Sequence, residues 1–244
     1  MRKMVFLAVI ALAAVASAQE NKTYDAYQIN DFEMTGDGTN EVWNDVSWAG
    51  GTLWLSYSDS STLPSNMQAD FKAAYSADNL YIFTKRLFPD AKSIIGNPGG
   101  AFTFAEADSE FFITGSEANF YHGAFKAGAN WETTGEADKS FDSAGYAPWP
   151  APADNTKVEA KTKFTDDGWT CEIKIPRVGT FDPTICDLVN GTSFQFQICF
   201  STNAAYSFTR WSGPGVDAGG FIKKPWGTLN LVNGVAAVND WSLF

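Results

Sequence analysis

The residues best suited to chemistry are aromatic rings and hydrogen-bonding groups in loop-rich or strand-edge settings. Arg210-Trp211-Ser212 stands beside the glycine-rich run Gly213 to Gly220. An exposed indole at the mouth of such a loop could stack on the apolar C–H face of a pyranose, with the Arg210 guanidinium bonding hydroxyls beside it. Trp131 and Trp149 are further rings placed outside clean alternation. Gln195 and Gln197 project from the strand face opposite Phe194, Phe196 and Ile198, and Glu110 sits at the entrance of another strand, so two amides and a carboxylate could bond hydroxyls there. Each has a plainer reading: Trp211 as core filler, the glutamines as solvent-facing, Glu110 as a solvated strand acid. Trp43, Trp169 and Trp226 read as packing residues.

Other chemistries find less support. His122 is the only histidine, which excludes a multi-histidine metal site and leaves little for a histidine-based triad. Asp37, Asp45, Asp166 and Asp167 could donate oxygens to a structural calcium ion, without EF-hand spacing to select them. A glycosidase would need two facing carboxylates, and no motif selects a pair. Cys171, Cys186 and Cys199 cannot all pair within one chain. Their strand positions put Cys171 and Cys199 on different faces, so Cys186 is the better partner for either, and a disulfide-free domain is equally open.

These groups must be positioned by β-structure. Residues 1–18 open with Arg2 and Lys3, continue through an apolar run and finish Ala16-Ser17-Ala18, the pattern of a secretory signal peptide. A leader over 19–26, one domain over 27–232 and a tail over 233–244 follow as expectations. The formal charge is -11 in a chain that is 15% aromatic, and the absence of a basic cluster argues against nucleic acid as a partner. No later stretch is long and apolar enough to span a bilayer as a helix. The clearest element is the hairpin from Ala69 to Lys85: Phe71, Ala73 and Tyr75 recur with period two, Ser76 to Asn79 breaks the run, and Leu80 to Phe83 is apolar on both faces. Phe194 to Phe200 is the cleanest alternation, Lys157 to Phe164 reads as an edge or solvent-facing strand, and Pro176 stops the strand from Trp169 to Ile175. Thr133 to Asn155 has no apolar period and reads as a long loop, functional or disordered, with the embedded Trp149 favouring function. The class predicted is all-β, an antiparallel β-sandwich.

The order of motifs resembles carbohydrate-binding module family 9 and its relatives in the DOMON-like superfamily. The matching elements are Gly36-Asp37-Gly38 with Glu41 and Trp43, the Phe71 to Ile82 hairpin, Asp108 to Ile113, Gly168-Trp169-Thr170-Cys171-Glu172-Ile173-Lys174-Ile175-Pro176, Phe194 to Phe200, Arg210-Trp211-Ser212 and Gly227-Thr228-Leu229. The resemblance implies a DOMON-like β-sandwich of the immunoglobulin-like or jelly-roll type that binds a poly- or oligosaccharide without chemistry of its own, outside the cytoplasm, often alongside polysaccharide-degrading enzymes. It also implies that Trp211 is the late tryptophan of an aromatic clamp, with Trp131 and Trp149 as candidates for its partner. An extracellular structural or surface-interaction domain is the alternative. Haem-binding DOMON relatives suggest Met67 and His122 as a further, weaker option.

Overall fold

The computed structural model describes residues 22–50, 53–55, 69–87, 91–102, 107–116, 119–143, 147–166, 168–201, 208–212 and 226–234. The proposed signal peptide, Met67, Asp167 and the loop from Gly213 to Gly220 lie outside them.

The hairpin predicted at Ala69 to Lys85 forms as strands β3 (Ala69–Tyr75) and β4 (Asn79–Leu87), paired antiparallel with Tyr75 opposite Leu80 and Ala73 opposite Ile82. A serine closes the turn: the Ser76 hydroxyl accepts the amides of Asp78 at 3.2 Å and Asn79 at 2.9 Å. Asp31 then gathers the Ser76 hydroxyl, the Asn79 amide and the Tyr81 phenol at 2.5, 2.8 and 2.8 Å. Those donors, Ser76 foremost, hold the Asp31 carboxyl below its ordinary range. Both faces of β4 are apolar because both are covered. Leu80 and Ile82 enter the main core, while Tyr81 and Phe83 pack on Trp43 and Val46.

Around this hairpin lie β1 (Thr23–Gln28), β5 (Asp108–Thr114), β6 (Tyr121–Ala127), β7 (Ala137–Ser143), β8 (Glu159–Thr165), β9 (Gly168–Pro176), β10 (Ser193–Ser201) and β12 (Gly227–Val232). Ten strands run in the order β7-β6-β5-β10-β12-β1-β3-β4-β9-β8; the short β11 (Phe208–Arg210) pairs with β10, and β2 (Leu53–Leu55) pairs with β11. The all-β class matches the expectation. The layout differs from two separate antiparallel sheets in two respects: β1 runs parallel to both β12 and β3, and the pairing is continuous from β7 to β8. The two ends of the path approach one another. Glu136 bridges Lys161, the Thr162 amide donates to the Gly135 carbonyl at 2.8 Å, and Lys139 donates to the Val158 carbonyl at 2.7 Å. The result is a nearly closed, barrel-like sheet around one large core that includes Phe71, Ile82, Phe111, Ile173, Phe196 and Leu229.

A further expectation needs correction. Thr133 to Asn155 contains β7, which pairs with β6 from Ala137 to Ser143. Its polar sequence hides it, because of its side chains only Phe141 packs against the main core and the ladder to β6 supplies the rest. The cysteines are all buried and free, which resolves the open alternatives in favour of no disulfide.

Glycine is required at Gly38, where φ is +69° and a Cβ would overlap the Phe83 ring. Gly38→Ala should lower the unfolding free energy by about 1–3 kcal/mol, through left-handed backbone strain and overpacking together. Urea denaturation would measure the change.

Candidate functional site

Period-two alternation gives β5, β6 and β10 two faces. Phe111, Ile113, Phe125, Phe196 and Ile198 face the core, which leaves Asp108, Glu110, Phe112, His122, Lys126, Gln195, Gln197 and Cys199 on the opposite face. The register sorts these into rows across strands. Asp142 of β7, His122 of β6, Phe112 of β5 and Gln197 of β10 form one; Ala124, Glu110, Cys199 and Arg210 form the next. The centre of this face is polar yet buried, with Glu110, His122 and Arg210 only 1%, 2% and 1% exposed, while Phe120, Asp142 and Gln195 at its margin are half-buried.

His122 organises its centre. One ring nitrogen bonds Glu110 at 2.9 Å and the other bonds Asp142 at 2.8 Å, and the ring stacks on Phe112 with 4.1 Å between centroids and 4° between planes. Burial is the largest influence on its pKa and opposes charging, but the hydrogen bonds and charges of Asp142 and Glu110 together outweigh it and raise the pKa to about 9. The ring is therefore an imidazolium at neutral pH, with both N–H groups donating to carboxylates. With both ring nitrogens so engaged, the general-base role of a histidine in a nucleophile triad is not set up here. Phe120 and Trp226 flank the row: Trp226 lies 5.5 Å from Phe112 and 5.3 Å from Phe120, and Phe120 is half-buried.

A histidine held above its ordinary value of 6.5 makes stability depend on pH. Its contribution is complete below about pH 6.5 and is lost as pH rises through about 9, because folding then no longer captures a proton. The loss should reach about 3 kcal/mol between those limits. Urea unfolding at pH 6.5 and pH 9.5 measures it, and His122→Asn should flatten the slope.

The structure gathers Glu110, Gln195, Gln197 and Arg210 of the anticipated residues on this one face. Gln197 is used internally: its carbonyl accepts the amides of Trp211 at 3.0 Å and Ser212 at 2.9 Å, and its NH2 donates to the Ser212 carbonyl. Gln195 is half-buried between Thr114 and Thr228. The aromatic expectations fare differently. Because Arg210 is in register with Cys199 on the polar face, its neighbour Trp211 points the other way, into the core. Trp211 is 0% exposed, edge-on to Phe71 at 5.1 Å, so it cannot be a surface platform in this structure. Trp149 is also packed inside, against Tyr121, Phe141 and Phe181, with its N–H on the His122 carbonyl at 3.1 Å. Trp131, on the four-residue helix α1 (Trp131–Thr134), leans half-buried on Phe164, away from this face. Sequence reading missed Asp142, hidden in the apparent loop, and Phe112, Phe120 and Trp226, which look like any other packing aromatics. His122 was legible only as a lone histidine.

For calcium, among the described residues no group of three or more His, Cys, Asp or Glu converges; Asp37 pairs with Lys163 at 2.6 Å and Asp166 with Lys92 at 3.0 Å. For haem, both His122 nitrogens are occupied by carboxylates, which removes the proposed axial ligand. Among the described residues no helix is long and apolar enough to cross a membrane.

No family model matches the sequence, and no curated protein does. Solved structures do match in three dimensions. A carbohydrate-binding module of family 9 from Caldicellulosiruptor kristjanssonii in complex with glucose aligns with a TM-score of 0.55 at 15% identity, over 89% of this chain and 100% of that one. The same organism's family 9 module in complex with cellotriose aligns with a TM-score of 0.53 at 16% identity and the same coverage. The chain thus has a fold like that of carbohydrate-binding module family 9.

Proposed function

We propose that the protein is a non-catalytic carbohydrate-binding module, exported by its first 18 residues, and that it holds a saccharide against the polar face of β5, β6 and β10. The observation that carries this is the gathering of carboxylates, an imidazolium, an amide and a guanidinium beside Phe120 and Trp226 on one sheet face, outside the core. Such a set supplies acceptors and donors for hydroxyls and flat apolar surface for C–H groups. The likeness to modules solved with glucose and cellotriose supports the same reading. Phe120, Asp142 and Gln195 are the partly exposed members, so the sugar meets them first. In this role the module delivers a polysaccharide-degrading enzyme to its substrate or anchors its owner to a glycan.

A glycan array followed by calorimetry tests it. Phe120→Ala should weaken binding roughly tenfold or more while leaving the fold intact, since a stacked ring contributes on the order of 1–2 kcal/mol. Failure of the folded protein to bind any glycan would instead favour an extracellular interaction domain. One observation favours that second reading: Glu110, His122 and Asp142 satisfy one another, and Gln197 is spent on the backbone.

A further inference from the structure

The other half of the sheet carries a concavity of about 450 Å³ between the outer face of β3, β4, β9 and β8 and the segment from Asp37 to Trp48. That volume falls within the range of small-molecule sites. Its walls combine two features. The first is aromatic: Trp48, half-buried, lies 5.6 Å from Phe83 and forms an accessible part of the wall. The second is cationic: Lys72, Lys85 and Lys163 all line the space.

Within the lining itself the acids do not balance these cations. Asp37 is the one carboxylate in the lining, and its oxygens are already engaged by the Lys163 ammonium at 2.6 Å and by the hydroxyl and amide of Thr39 at 2.7 and 3.1 Å. Lys72 is 9% exposed, donates to the Trp43 carbonyl at 2.6 Å and rests 4.8 Å from the Trp48 ring centre, with no carboxylate among the described residues in ion-pair contact. An ammonium has three donors, so capacity remains. The Lys85 side chain is exposed and its ammonium makes no hydrogen bond or ion pair with any described residue, with Asp70 as its cross-strand neighbour on β3. In a chain of formal charge -11, a concave patch of excess positive charge next to a ring focuses attraction on a small anion. Burial lowers the Lys72 pKa, with Asp70 countering it, and a bound anion would relieve that penalty.

We infer that this concavity is a second binding site, specific for a sugar unit bearing a carboxylate, a hexuronate, whose ring lies on Trp48 and whose carboxylate meets Lys72 and Lys85. The aromatic wall selects a ring over a bare anion, and the lysines select an acidic sugar over a neutral one. This site is independent of the one on β5, β6 and β10, and either can exist without the other.

The test is titration of the full-length mature protein with sodium glucuronate, with glucose and sodium acetate as parallel arms, read by the nitrogen-15 shift of the Trp48 indole. Glucuronate should move that resonance saturably, with weaker response at high salt, and glucose and acetate should bind at least tenfold more weakly, as expected when a charge-assisted contact or the ring contact is missing. Lys85→Gln, a change at an exposed side chain, should weaken glucuronate roughly tenfold, and Trp48→Ala, which lacks the reporter indole and is followed by calorimetry instead, should do the same, while Phe120→Ala leaves binding unchanged. No shift with glucuronate, equal response to acetate, or loss in Phe120→Ala with retention in Lys85→Gln would each overturn the proposal.

Discussion

Trp211→Ala is expected to lower the unfolding free energy by about 3–5 kcal/mol, the range for emptying a buried large aromatic site. The indole is fully enclosed, edge-on to Phe71 at 5.1 Å and near Phe196 at 6.3 Å, so it joins strands that lie apart along the sheet path. Gly227, at the start of β12, has no room for a Cβ because the same ring fills that space. The surroundings therefore cannot collapse cheaply into the cavity. Among the described residues the indole N–H has no acceptor, so Trp211→Phe, which removes that buried donor, should cost less than its lost volume alone suggests. Urea denaturation with far-ultraviolet circular dichroism measures both variants. An unchanged midpoint with loss of glycan binding would return Trp211 to the role of a binding platform.

Glu172→Ala should be comparably damaging, at about 3–5 kcal/mol. The Glu172 carboxylate is completely buried on the outer face of β9. One oxygen accepts the Trp43 indole N–H at 2.7 Å, and the other accepts the amides of Thr35 at 2.6 Å and Gly36 at 2.5 Å. It thereby pins the segment from Thr35 to Trp43 over Tyr81 and Phe83, from 129 or more residues away in the chain. Truncation leaves three donors without their acceptor, each costing on the order of 1–3 kcal/mol where water cannot reach. Glu172→Gln should rescue little, since its NH2 would face donors. Hydrogen exchange separates the mechanism from general destabilisation: the Gly36 amide and Trp43 indole should exchange fastest relative to the β3–β4 ladder. Protection of both in the alanine variant would contradict this account. Because Trp43 also holds Lys72, the same substitution should loosen the concavity beside Trp48.

Much of the fold was readable because alternation and turn residues are local signals. The β3–β4 hairpin, the edge strand β8 and the β9 strand ending at Pro176 appear where their patterns predicted them. β7 was not, since an edge strand with one core ring carries almost no periodic signal. The site was legible only in part. Glu110, Gln195, Gln197 and Arg210 were singled out by type, and they share one face, but that they do so depends on β10 pairing with both β5 and β11. The orientation of Trp211 follows from the same register: one residue of slip would put it outside and Arg210 inside.

The sequence by itself determined the all-β class, the hairpin and the identity of the polar groups that later share a face, because side-chain alternation and turn chemistry act over a few residues. Only the tertiary structure decided which groups meet. The pairing of His122 with both Glu110 and Asp142, the burial of Trp149 and Trp211, the joining of Glu172 to Trp43 and the cluster of lysines beside Trp48 all arise from contacts between distant strands. Such contacts are set by strand order and register, which the curvature of the whole sheet imposes and no local pattern encodes.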